Sequence, residues 1–172
     1  LGMKRFRDAA GSSYLPGFYQ FLIDVAPGTP PFEAGWYIVD KTGKGIPGWF
    51  GVPYKGFLCD MSPEFIDYCA QGIAETIDYH QVGFIYIDWP YIPCFADWKG
   101  EGRVIQATDV MEFYRRIHAE CSSRGVPLMV NSGSGVPYTD VGIFEGTIPW
   151  KSNVANGYLE GRWRQLYSDP LM

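Results

Sequence analysis

The stretch Val82-Gly83-Phe84-Ile85-Tyr86-Ile87-Asp88-Trp89-Pro90 decides how the rest of the chain is read. Its successive apolar or Gly positions predict a strand buried on both faces, the type found in parallel sheets. The run stops at one carboxylate, and Pro90 helps to end the strand because it has no N–H for a ladder. Asp88 then sits where the strand emerges. In α/β barrels the side chains at C-terminal strand ends line the active site, which makes Asp88 the first candidate for chemistry. The competing reading is an Asp that starts a turn, a residue type common just after strands.

Upstream, Ser62-Pro63-Glu64 predicts a helix start: a Ser N-cap, Pro at the first helical position, and an acid near the positive end of the helix dipole. Phe65, Ile66, Cys69, Ile73 and Ile77 follow at helical spacing, and the helix ends near His80. Downstream, Thr108-Asp109 opens a second helix with Val110, Phe113, Ile117 and Cys121 on one face and Gly125 as its stop. Residues 126–131 predict a strand ending in Asn131, and 141–145 a shorter one ending in Glu145. Residues 17–24 (GFYQFLID) predict a strand ending in Asp24, while 3–10 and 157–167 read as helical. The segment 25–60, rich in Gly, Pro and aromatics, is long enough to be functional or to carry small elements of its own.

This alternation predicts parallel strands joined by crossover helices, with the crossover at 132–140 reduced. Four strands are legible, whereas a closed eight-stranded barrel takes ~250 residues. The 172 residues are therefore expected to be α/β, a single domain over 1–172 that makes up about half of a (β/α)8, TIM-type barrel. Such an open sheet has unpaired edges, which calls for a missing barrel half or for self-association.

The net charge of −5 and the pI near 5.0 argue against a nucleic-acid backbone as partner. No apolar run reaches the ~18 residues of a membrane span. Lys4, Arg5, Arg7 and Asp8 interrupt any leader-like apolar start. Aromatics make up 17%, and Trp36, Trp49, Tyr54, Trp89, Tyr91, Trp98 and Trp150 fall in apparent loops. Flat amphipathic rings there serve either as platforms for sugar faces or as packing that ties loops to the body. Cys59, Cys69, Cys94 and Cys121 match no zinc spacing. Cys69 and Cys121 lie on apolar helix faces, while Cys59 and Cys94 read as loop residues that could meet. Gly133 and Gly135 lack the Lys and helix start of a phosphate loop, and His80 and His118 fall on helices away from the strand ends. No cofactor or metal pattern emerges.

Asp24, Asp88, Asn131 and Glu145 each end a predicted strand, so a parallel sheet brings them to one rim. Two carboxylates facing each other across a rim suit glycosidic cleavage. One attacks or stabilises the anomeric carbon, and the other protonates the leaving oxygen. Asp24, Asp60 and Asn131, with Trp89 and Trp98, are the candidate substrate-binding residues. Asp60 and Asn131 also suit purely local turn or loop roles.

The segment 59–89 (CDMSPEFIDYCAQGIAETIDYHQVGFIYIDW) resembles the helix-plus-strand unit of (β/α)8 glycoside hydrolases related to the α-galactosidase clan. The resemblance lies in a Phe/Tyr-x-x-x-Asp-Trp strand end, here Phe84 to Trp89, and a Pro-x-aromatic-x-Asp-Tyr helix start, here Pro63 to Tyr68. It implies that Asp88, at the fourth strand, is the nucleophile and that Glu145, at the sixth, is the acid/base of a retaining enzyme acting on a carbohydrate. Two positions depart from the clan: its acid/base is usually Asp, and a Lys usually stands two residues before the nucleophile, where this chain has Tyr86. By analogy, such enzymes act on polysaccharides in extracellular or periplasmic settings. Two other classes fit the same residues: an Mg²⁺-dependent barrel enzyme using oxygen ligands from Asp24, Asp88 and Asn131, and a catalytically silent sugar-binding fragment that relies on Trp89 and Trp98.

Overall fold

The computed structural model describes residues 8–9, 11, 16–20, 22, 24–48, 56–88, 105–131 and 138–143. At its centre is β4, Phe84–Ile87. It pairs in parallel with β1, Gly17–Gln20, on one side and with β5, Leu128–Asn131, on the other. A last parallel strand, β6 (Val141–Ile143), joins β5, so the sheet order is β1-β4-β5-β6. The predicted parallel α/β arrangement is present.

Helix α2, Pro63–His80, connects to β4, and helix α3, Ala107–Ser123, precedes β5. Both helices begin where their local chemistry directs. The Ser62 hydroxyl accepts from the Phe65 N–H (3.3 Å), and Pro63 opens α2 without wasting a donor. Before α3, the Asp109 carboxylate accepts from the Gln106 N–H at 2.8 Å. Gly125 closes α3 with φ of 66°, the left-handed conformation that Gly adopts without a Cβ clash.

The two helices pack on each other and cover one face of the sheet. Ile85, Ile87, Leu128 and Val130 on that face join Phe65, Ile73, Ile77, Phe113 and Ile117 in one core. Arg116 pairs with Asp67 (2.6 Å) and Arg124 with Asp78 (2.9 Å), tying α3 to α2 at the surface. Exposed, solvent-screened pairs of this type contribute little, so apolar burial holds the layers together.

The burial of β4 differs from the sequence expectation. Ile85 and Ile87 are wholly buried, but Phe84 and Tyr86 are only half-buried. The apolar run therefore has one covered face and one that is aromatic and partly open. Phe84 lies over Gly17 so closely that a Cβ there would sit 2.0 Å from the ring, which explains a Gly at this point of β1.

The strand expected over 17–24 is interrupted after Gln20. Asp24 instead starts β2, Asp24–Val25, which runs antiparallel to β3, Phe57–Leu58, in a separate small sheet. The segment between them carries the one-turn helix α1, Pro30–Glu33, and extended strips bridged at Tyr37–Cys59, Val39–Gly45 and Pro47–Phe57. Phe32, Tyr37 and Phe57 stack there with ring centres 5.1–5.9 Å apart. Cys59, expected in a loop, is a free thiol with no exposed surface, and burial pushes its pKa well up. Burial likewise pushes Cys69 and Cys121 up to about 12. Cys94 and the helix expected at 157–167 lie outside the described residues.

The turn at 40–44 is closed by Asp40. Its Oδ1 accepts from the Thr42 hydroxyl (2.6 Å), the Thr42 N–H (2.8 Å) and the Lys44 N–H (3.0 Å). These bonds, the Thr42 hydroxyl first, hold the Asp40 carboxyl below the usual carboxylate range. The folded pKa is depressed, so the turn's stabilisation is present above the ordinary value of about 3.9 and disappears as pH falls through the lower folded value. The Thr42 and Lys44 amide chemical shifts are expected to stay constant down to that ordinary range and to move only below it. Separately, Ile117→Ala is expected to lower unfolding free energy by about 2–5 kcal/mol in chemical denaturation, because Ile117 is fully buried between the layers.

Candidate functional site

Asp88 follows directly on β4, and its N–H donates to the Gln20 carbonyl at 3.0 Å, extending the β1–β4 ladder past the last strand residue. The backbone of the acid is thus held by the sheet. Side chains alternate along a strand, so Phe84, Tyr86 and Asp88 project to the face away from the helices, while Ile85 and Ile87 enter the core.

In β1 the residue level with Tyr86 is Tyr19. The two rings lie 5.6 Å apart at 47°. The Tyr19 hydroxyl donates to Asp88 Oδ2 at 2.5 Å, the short limit for an O–H to carboxylate bond. Sequence reasoning missed Tyr19. The available signal was its position, one residue before the end of GFYQ on the neighbouring strand. That signal becomes informative only once the register is known.

The other predicted residues are distributed unevenly. Asn131 ends β5, and continuing the Ile87–Val130 register by one residue sets it level with Asp88 on the adjacent strand. Asp24 is not at the end of a parallel strand. It sits in the small antiparallel sheet with its carboxylate against Gly48, where a Cβ would lie 2.1 Å from Oδ1. Beside it, Gly48 N–H donates to the Gly56 carbonyl at 2.8 Å. Asp60 is built into the start of α2: its Oδ1 accepts from the Ser62 N–H (2.9 Å) and hydroxyl (2.7 Å). Glu145, Trp89 and Trp98 lie outside the described residues.

His80 stacks on Phe18 at 5.7 Å, and His118 faces Asp140 at 3.3 Å. Asp140 binds the N–H of Leu128, the first residue of β5, so His118 lies at the end of the sheet opposite Asp88. Among the described residues no three His, Cys, Asp or Glu side chains gather to hold a metal ion. No helix among them is long and apolar enough to cross a membrane. Chemically, the described part of the rim offers one carboxylate, fixed through both its backbone and one oxygen, on an aromatic face.

The sequence matches no family profile and no curated protein. Solved structures do match. An α-galactosidase from Thermus thermophilus, in complex with p-nitrophenyl α-D-galactopyranoside, is similar over 74% of this chain and 25% of its own, with a TM-score of 0.55 and 14% identity. A maltogenic α-amylase from Thermotoga neapolitana is similar over 93% of this chain and 33% of its own, with a TM-score of 0.61 and 12% identity. A GH36 α-galactosidase from Geobacillus stearothermophilus, in complex with stachyose, is similar over 77% of this chain and 20% of its own, with a TM-score of 0.56 and 13% identity. The fold is a distant version of the glycoside hydrolase fold. The chain spans a third or less of the length of each of these TIM-barrel neighbours.

Asp60→Ala is expected to lower stability by about 0.5–2 kcal/mol in thermal or urea unfolding, the range for a lost helix-start interaction, since it releases the Ser62 cap.

Proposed function

We propose that the chain forms part of the catalytic (β/α)8 barrel of a retaining glycoside hydrolase, with Asp88 as nucleophile and Glu145 as acid/base. The observation that carries this reading is Asp88 itself: a carboxylate at the C-terminal end of a parallel strand, on the face the helices leave open, in a fold shared with sugar-cleaving enzymes. Catalytic groups of barrel enzymes occupy such strand ends. The partial barrel is supported by the four-strand parallel order and by the half-buried aromatic face of Phe84 and Tyr86, which in a closed barrel would point inward. The missing strands would come from further chain or from a second copy.

In the first step the Asp88 carboxylate attacks the anomeric carbon, and the bond to the leaving oxygen breaks as Glu145 gives that oxygen its proton. In the second, Glu145 takes a proton from water, the water oxygen bonds to the anomeric carbon, and the electron pair returns to Asp88. Retention requires the two carboxyls about 5–5.5 Å apart. Asn131, on the strand next to Asp88, would meet a sugar hydroxyl, and Trp89 and Trp98 would wall the ring. The substrate class is an α-linked glycan, by analogy with the galactosidase and amylase neighbours.

The full-length protein is expected to hydrolyse a nitrophenyl α-glycoside such as p-nitrophenyl α-D-galactopyranoside. Asp88→Asn should reduce kcat by at least about 1,000-fold while ligand binding persists, and Glu145→Gln should cost far less with this activated leaving group than with an unactivated glycan. Normal turnover by Asp88→Asn would remove the assignment. Sugar binding with no turnover by the unmodified protein would leave a sugar-binding domain instead.

A further inference from the structure

We infer that the chain entering β1, residues 3–10, docks on the outer side of α2 at Glu75 and Tyr79, with Phe6 against the ring and the cations Lys4, Arg5 and Arg7 facing the carboxylate.

The docking surface is one half of a repeat. Glu64-Phe65-Ile66-Asp67-Tyr68 and Glu75-Thr76-Ile77-Asp78-Tyr79 read Glu-x-Ile-Asp-Tyr twice within α2. A spacing of eleven residues is three helical turns to within about 20°, so both pentads present the same residue types on the same faces, about 16.5 Å apart. Ile66 and Ile77 enter the core. Asp67 and Asp78 face α3, where each meets an arginine, Arg116 at 2.6 Å and Arg124 at 2.9 Å. One residue on, about 100° round the helix and away from α3, stand Tyr68 and Tyr79, each beside the glutamate four residues before it.

On that side only the first pentad is matched by another element. Trp36, from the inserted segment, lies against Tyr68 at 5.7 Å. Tyr79 is 67% exposed, against 41% for Tyr68, and its ring contact among the described residues is with its own neighbour, His80. Glu75 accepts from the Gln71 amide at 2.8 Å, and no cation among the described residues reaches it.

The occupant follows from where the chain enters the sheet. The Pro16 carbonyl accepts from the Gly83 N–H at 2.7 Å, and Phe18 stacks on His80 at 5.7 Å. The approach to β1 therefore runs past the C-terminal end of α2, beside Tyr79. Asp8 and Ala9 on that approach are helical. The residues just before them supply one aromatic ring, Phe6, and the cations Lys4, Arg5 and Arg7. These are the chemistries that Trp36 and the α3 arginines bring to the other contacts of the repeat. A second copy of the chain would instead set like charges against each other, with a net charge of −5 on each.

Hydrogen exchange on the unmodified full-length protein tests this without any variant. The amides of residues 4–10 should exchange at least about 10-fold more slowly than in an unfolded peptide of the same sequence, and free exchange there overturns the docking. Glu75→Lys should reduce that protection by about 10-fold, and adding Lys4→Glu, Arg5→Glu and Arg7→Glu should restore it. Glu64→Lys makes the same charge change on the same face one repeat away and should leave residues 4–10 as they were. Equal loss in both glutamate variants, or loss in neither, overturns the contact with Glu75. Nitration by tetranitromethane reads the ring: Phe6→Ala should speed modification of Tyr79 several-fold, and an unchanged rate overturns the contact with Phe6. Protection of Tyr79 that disappears on dilution assigns the surface to a second copy, and protection that needs an added glycan assigns it to a sugar. Either outcome overturns docking of residues 3–10.

Discussion

Burial of one face of the β1-β4-β5-β6 sheet beneath α2 and α3 is the constraint on which the rest of the structure depends. Ile85, Ile87, Leu128 and Val130 lie fully enclosed against the apolar stripes of the two helices. Because side chains alternate, burying these residues forces their neighbours to the opposite side. A shift of one residue in β4 would drive Tyr86 and Asp88 under the helices and bring Ile85 and Ile87 out. An unpaired carboxylate in that core would cost several kcal/mol, so the register is strongly specified by the same burial that presents Asp88 at the open face.

That open face has a graded composition. At its base the Phe84 ring lies over Gly17, where no side chain would fit. One level up, Tyr19 and Tyr86 stand side by side, and the acid comes last, at the strand end. Two positions before Asp88 stands a neutral aromatic, Tyr86. The described contact to the acid then comes from a hydroxyl on the neighbouring strand. A tyrosine supplies a directional O–H without a charge.

Much of this was legible along the chain because it is local. The Ser62 cap, Pro63, the apolar stripe of α2, the Gly125 stop and the strand ending at Asp88 each depend on a few adjacent residues, and each is found where the sequence predicts it. The failures were non-local. Asp24 looked like another strand-ending acid, yet Val25 is drawn into the core by pairing with Phe57, some thirty residues away, which takes Asp24 into a second sheet. Cys59 looked like a loop residue because its bridge to Tyr37 crosses the inserted segment. Asp60, for which a local turn role stood beside substrate binding, has its Oδ1 held by the Ser62 N–H and hydroxyl two residues on.

By itself the sequence determined the class of fold, the helix boundaries and the acid to watch, because hydrophobic period, caps and strand-end polarity are read from neighbours in the chain. Only the tertiary structure decided which face of β4 would stay open and which strand would lie beside it. It also decided that Tyr19, 69 positions before Asp88, would be its hydrogen-bond partner. Those outcomes come from pairing register and layer packing, which join segments remote in sequence and leave no local mark on the residues they bring together.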